Sequence, residues 1–442
     1  MSIQLTSWTT TPWPSTISTR SVDASYTSGL LATLSEAAKS IETATDVGDL
    51  VSLSRVIRGA EASLAIISAE NAIATATESS VKAAATKAIF ASSVDLEGLF
   101  WEYSFFDFRL NRAANIIYLT LFGLLWLYYT SMFSVSRYQW FNVSFFCGYT
   151  LEFIGFIGRI LAFVDATEIN YFLLEFVSLT ISPAFIMAGI YFTFGQLVAT
   201  YGRKYSLLKP LWYTYIFISF DVTSLVIQAI GGGIASAESS ENKDTSLGTN
   251  IMIAGIVFQV FSMSVFLILW FDFLLRIFFK PEGSPTRTPL SFFRLLFNTR
   301  VANQLKITHM DGSYNPKFAD LRARPLVNFY PLAITIGTLA IYVRCIYRVV
   351  ELAQGWSGYL ISHEVYLMVL DAAMVAICGL VFTGFHPYFV FGKTNRLKVA
   401  HIRNEVDVHR DSQFDDENGL VKESIEKGES RIHDNDNELE TL

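Results

Sequence analysis

NIMIAGIVFQVFSMSVFLILWFDF, residues 250–273, carries one charged side chain, Asp272, near its end. An α-helix rises 1.5 Å per residue, so about 20 such residues cross the roughly 30 Å hydrocarbon layer of a bilayer. Backbone amides in lipid have no water to pair with, so the run must be helical. Six further runs share this character, at 114–135, 140–163, 172–199, 212–235, 328–350 and 365–388. The expected fold class is an all-α membrane protein, a seven-transmembrane-helix bundle. Composition points the same way: 52% of the 442 residues are hydrophobic and 17% charged, against about 25% charged in soluble domains. Trp126, Trp140, Trp212 and Trp270 read as interfacial markers at or near span ends.

Basic residues set the expected orientation. One side carries Arg137, then Arg203, Lys204 and Lys209, then nine Lys and Arg from Arg276 to Arg324, then Lys393, Arg396, Lys398 and Arg403. The other side is nearly bare, with Asp165 and Glu168 in one loop, Lys243 against three acids in the next, and Glu351 and Glu364 bounding the last. The positive-inside rule then predicts an amino terminus outside and a carboxyl terminus in the cytosol. The net charge of -7 says little about partners, because the acidic excess sits in the tail.

Four regions follow. Residues 1–110 form an Ala/Ser/Thr-rich extracellular segment, partly helical or disordered, whose apolar pieces are too short to span. It lacks the basic start and apolar core of a signal peptide, so the first span must serve as the signal. Its Ser and Thr clusters suggest O-glycosylation, whereas the sequon at Asn142 lies at a span edge and reads as silent. Residues 111–392 hold the membrane domain. Within it, 276–327 form a long basic cytosolic loop, where TPLSFFRLLFNTRVANQLKI reads either as an amphipathic helix on the inner leaflet or as a solvated loop. Residues 393–442 form an acidic, disordered cytosolic tail with Ser424 and Lys427 as candidate modification sites.

Ionisable groups inside spans are costly, about 2.5–3.5 kcal/mol each at a helix centre, and so mark cavities or partners. In the second span Gly148, Glu152, Gly155 and Arg159 fall on one stripe. The glycines admit a close neighbour, and Glu152 and Arg159, two turns apart, must each meet another helix. The third span carries Glu175 and, at its middle, Pro183, which frees a backbone carbonyl. Asp221 and Gln228 share a face of the fourth, which Gly231, Gly232 and Gly233 are expected to end. Arg344, Arg348 and Glu351 share a face of the sixth, and Glu364 and Asp371 do so at the start of the seventh. Arg159, Glu175, Arg344, Arg348, Glu364 and Asp371 fall in the outer half, which points to a polar cavity open outward. Interhelical salt bridges that only hold the bundle together are the competing explanation.

No phosphate-binding loop, zinc motif or nucleophile elbow occurs, and His363 and His386 stand alone. No catalytic residues, metal or cofactor are expected, and no nucleic-acid partner. Cys147, Cys345 and Cys378 lie in apolar runs and read as small buried side chains.

GYTLEFIGFIGR (148–159), ISPAFIMAGIYFTFGQ (181–196) and LLKPLWYTYIFISFDVTSLVIQAIGGGIA (207–235) resemble the signature stretches of the fungal lipid-translocating exporter family, as do AGIVFQVFSM (254–263) and the stretch from VRCIYRVVELAQGWSGYLISHEVYLMVLDAAM (343–374) to GFHP. The resemblance runs from about Asn115 to Tyr388. It implies a fungal plasma-membrane protein that moves amphipathic lipids, with sphingoid long-chain bases as substrate and sterol analogues associated with other members. It carries over Glu152, Gly155, Arg159, Pro183, Tyr191, Asp221, Gln228, Arg344, Arg348, Glu351, Glu364 and Asp371. A carboxylate such as Glu152, Glu175 or Asp371 would neutralise the amine. The alternative function is a seven-helix receptor or stress sensor for lipid asymmetry, with cytosolic regulatory partners at the fifth loop and tail.

Overall fold

The computed structural model describes residues 19–45, 47–104, 110–240, 244–355 and 358–393. The acidic tail beyond residue 393, with Ser424 and Lys427, lies outside the described residues. The chain divides into two compact units: one comprises residues to 110 together with 161–172 and 231–250, and the other comprises the rest.

In the first unit, where the sequence was expected to be partly helical or disordered, three α-helices form among the described residues up to 110: α1 (Thr27–Thr43), α2 (Val47–Thr75) and α3 (Ser79–Tyr103). Alanine-rich faces allow this. Ala69, Ala85 and Ile89 are buried against Ala72 and Ile73, so α2 and α3 approach closely. Arg58 of α2 makes a paired contact to both carboxylate oxygens of Glu102 on α3, at 3.0 and 2.7 Å.

Among the described residues seven helices are long and apolar enough to span: α4 (Arg112–Val135), α5 (Gln139–Leu161), α6 (Ile169–Tyr201), α7 (Pro210–Ser240), α8 (Ser246–Phe279), α12 (Pro325–Ala353) and α13 (Glu364–Val390). Each coincides with a sequence-predicted run; six extend it by a few residues at one end or both, and α5 stops at Leu161, two residues short of the expected 163. One expectation fails: Gly231, Gly232 and Gly233 do not end α7, which continues to Ser240. Each glycine costs a helix about 1 kcal/mol. The segment beyond them, IASAESS, is compatible with helix and extends it.

The connection between α8 and α12 is folded. It contains α9 (Pro289–Leu296), α10 (Arg300–Leu305) and α11 (Ala319–Arg322). Thr288 caps α9 by accepting from the Ser291 amide, and Leu295 and Leu296 are buried while Leu290 and Phe293 are exposed. Arg322 ties the connection to α6, bonding Asp311 at 2.6 Å and the Thr200 carbonyl at 3.0 Å. Lys306 is buried and, among the described residues, has no acidic partner. Its amine donates to the Leu295 carbonyl at 2.9 Å and to Asn298 at 3.2 Å, and burial pushes its pKa down to about 7.

Aromatic side chains fill the bundle core. Tyr118, Tyr128, Tyr129 and Tyr149 donate their hydroxyls to the carbonyls of Met368, Thr383, Gly379 and Val375, so α4 and α5 are fastened along the length of α13. Trp140 and Trp212 are exposed near helix ends. Trp270, by contrast, is fully buried and donates to Thr335 at 3.0 Å. Trp126 stacks on Phe153 within the length of α4. These last two therefore belong to packing and not to an interfacial belt. Asn142 is buried, bonding His386 at 3.0 Å and the Met132 carbonyl at 3.2 Å, so its sequon is sequestered. Of the cysteines, Cys345 and Cys378 are buried, while Cys147 is only partly so.

Candidate functional site

The buried charges gather where α5 ends and α6 and α13 begin. Arg159, in the last turn of α5, pairs with Glu175 of α6 and with Glu364 of α13, the latter at 2.7 Å. Asn115 of α4 completes the cluster, accepting from Arg159 at 2.6 Å and donating to Glu364 at 2.7 Å. Helix ends favour this arrangement, since a cation sits at a C-terminus and an anion at an N-terminus. Glu364 also accepts the Asn111 amide at 2.6 Å.

A second cluster lies between α6, α12 and α13. Arg344 and Arg348 of α12 both pair with Asp371, and Arg348 also meets Glu351 at 2.9 Å. Asp371 sits in a π-helical turn, Leu367–Ala372. Such wider turns concentrate at functional sites.

Pro183 explains the remaining bond of Arg344. Proline has no amide hydrogen, so the carbonyl four residues earlier, Leu179 O, loses its helical donor. Arg344 donates to that carbonyl across the bundle. A missing donor on one helix is thereby replaced by a guanidinium from another.

Gly148 and Gly155 bring α5 against α6. A Cβ at Gly148 would lie 2.6 Å from Ile186, and one at Gly155 would lie 2.7 Å from Leu179. Between them stands Glu152, fully buried, with neither carboxylate oxygen hydrogen-bonded. Ser182 is adjacent, but its hydroxyl is donated to the Gly148 carbonyl at 2.9 Å. Arg344 is the strongest opposing charge acting on Glu152. In the second cluster, therefore, Arg344 and Arg348 face Glu152, Glu351 and Asp371, leaving an excess of one carboxylate.

Asp221 of α7 joins neither cluster, and its carboxylate faces only the Tyr191 hydroxyl of α6. Gln228, two turns along, bonds Gln259 of α8 at 3.3 Å. Both amides line a small cleft with Phe176, Thr180, Arg344 and Arg348. The structure thus brings the sequence-predicted residues together in two groups, Arg159 with Glu175 and Glu364, and Arg344 with Arg348 and Asp371, and sets Asp221 apart. Glu364 and Asp371, expected to act from one face, serve different clusters, Glu364 meeting Arg159 of α5 and Asp371 meeting Arg344 and Arg348 of α12, because seven residues of helix set them about 10 Å apart along the axis. Sequence reasoning passed over Asn115 and Gln259. Each is an amide at or within a span, a weaker signal than a charge.

These features define a multi-pass membrane protein whose charges face the bundle interior and one another. The chain belongs to the family described as RTA1 like protein, whose model matches residues 145–394. It is 38% identical over 313 residues to the sphingoid long-chain base transporter RSB1 of Saccharomyces cerevisiae strain JAY291, covering 69% of this chain and 80% of that protein. The strain S288c protein of the same name is 37% identical over the same extent. Protein RTA1 of S. cerevisiae is 27% identical over 241 residues, covering 54% of this chain and 63% of its own length. No solved structure matches the chain.

Proposed function

We propose that this protein carries sphingoid long-chain bases across the plasma membrane toward the outer leaflet, with its amino terminus outside and its tail in the cytosol. The observation that carries the reading is Glu152 itself, without a hydrogen bond on either oxygen and the one carboxylate in excess over Arg344 and Arg348 once Glu351 and Asp371 are paired. A buried charge without a partner is expensive, and a sphingoid base supplies what is missing: one ammonium on a long alkyl chain. The amine would meet Glu152, with Arg344 and Asp371 adjusting around it, while the chain stays in lipid. The Arg159 cluster also holds one carboxylate in excess, Glu175 and Glu364 against Arg159.

Relatives matched over most of their length are named as transporters of this lipid class, and neither they nor the site favour a receptor reading. Orientation rests on the basic connections at 201–210 and 280–324. The test is transbilayer movement of a labelled long-chain base in liposomes containing the purified protein. Acceleration over empty liposomes is expected, and no movement with or without a pH gradient would overturn the proposal.

A further inference from the structure

Asp221 lies at the closed end of a polar track. α7 and α8 run antiparallel, joined by Gln228 and Gln259 at one level and by the rings of Phe217 and Phe266, 5.2 Å apart, at another. Asp221, Ser224 and Ser262 fall between these contacts, all buried. Cys345 of α12 reaches the same layer, with its sulfur 3.5 Å from that of Met263. On one side the track meets the cleft at Gln228 and Gln259. On the other it is sealed by rings: Tyr191 packs on Phe217 and Phe266 at 5.4 and 4.6 Å, and Phe194 packs on Phe266 and Trp270 at 5.6 and 5.1 Å.

In this track the Ser262 hydroxyl and the Gln228 carbonyl oxygen have no hydrogen bond, and the Asp221 carboxylate and the Tyr191 hydroxyl have no partner other than each other. Each such group costs about 1–3 kcal/mol if left dry, and more if charged. Among the described residues, the titratable groups facing Asp221 are Tyr191 from α6 and Cys345 from α12, with no cation among them. That separates it from Glu152, which has Arg344 beside it.

We infer that Asp221 is a proton-exchange site, loaded from the cleft through the Gln228–Gln259 track and distinct from the amine site at Glu152. The carboxylate takes a proton from water in the track and returns it by the same route, and opening of the Tyr191–Phe217–Phe266 seal would deliver it to the other side. As a coupling site it rests on the transporter reading; as a proton site it does not.

The experiment therefore omits substrate. Infrared difference spectra of the purified full-length protein between low and high pH should contain the carbonyl band of a buried protonated carboxyl. Labelling aspartate with carbon-13 should shift that band in the wild type, which requires no variant to fold. The band should vanish in Asp221→Asn, shift in Asp221→Glu and persist in Glu152→Gln. Gln228→Leu, which blocks the track, should slow its appearance after a pH jump at least tenfold. A band insensitive to aspartate labelling, or unchanged in Asp221→Asn, would overturn the inference, as would its abolition by sodium at constant pH, which would make the site one for a metal cation. In liposomes, Asp221→Asn should lose the response of base movement to a pH gradient. Protein that moves no base yet keeps the band refutes the transport reading alone.

Discussion

Glu152 and Glu364 are both buried carboxylates in the bundle, yet their neutral variants should behave in opposite ways. Glu152→Gln keeps the side-chain shape, and no hydrogen bond is lost because neither oxygen accepts one. It removes a charge of the kind that costs about 2.5–3.5 kcal/mol at a helix centre. Thermal stability in detergent should therefore stay level or rise. Glu364→Gln takes one carboxylate from Arg159 and puts amide hydrogens where Asn115 and the Asn111 amide donate. Breaking a buried pair costs at most about 3–5 kcal/mol, and interhelical polar contacts in membranes are often worth less, so a fall of a few kcal/mol is expected. Function should divide the other way. An ammonium–carboxylate contact in a desolvated site is worth about 2–5 kcal/mol. At 1.4 kcal/mol per decade, Glu152→Gln should lower affinity for a long-chain base roughly 30-fold to several thousand-fold. Thermal unfolding of the two purified variants, run beside liposome transport, reads both quantities. If Glu152→Gln were as destabilised as Glu364→Gln, Glu152 would be a structural partner; if it transported at the wild-type rate, it would not be the amine site.

Lys306 gives a pH prediction. Its pKa lies near 7 when folded, against 10.5 when free, so between these values the unfolded segment binds more protons and the folded connection gains stability as pH rises. Lys306→Met should flatten that slope, measured as protease resistance of the 280–325 connection from pH 6 to 10. In α7, a Cβ at Gly233 meets nothing within 4 Å, so Gly233→Ala should raise stability by about 0.5–1 kcal/mol. Gly248→Ala should do the reverse, since its Cβ would lie 2.3 Å from the Ala235 backbone nitrogen and α7 and α8 would have to part. Overpacking of this kind costs about 1–3 kcal/mol, and paired thermal melts would test both.

Much of the fold was legible because a bilayer imposes a length and a polarity that show directly in composition. All seven spans could be located from apolar runs alone, and the resemblance to lipid exporters rested on motifs that the family match at 145–394 covers. Local cues were less secure. The glycine triplet looked like a helix end, but low helix propensity did not stop α7 continuing to Ser240. Trp270 looked interfacial, but a tryptophan reports its depth only once its neighbours are known, and Thr335 waits for its indole within the core.

By itself the sequence determined which helices carry charge and that such charge must find a partner or a guest, because hydrocarbon solvates none. Which partner each found was decided only by the tertiary structure. Arg159 lies 205 residues from Glu364, and Arg344 lies 165 residues from the Leu179 carbonyl that Pro183 exposes. Helix periodicity fixes the face on which a side chain stands but not the helix that comes to meet it. For the same reason the sequence listed Glu152 and Asp221 among many candidates, and the packed bundle left these two carboxylates outside every ion pair, Asp221 with only the Tyr191 hydroxyl before it.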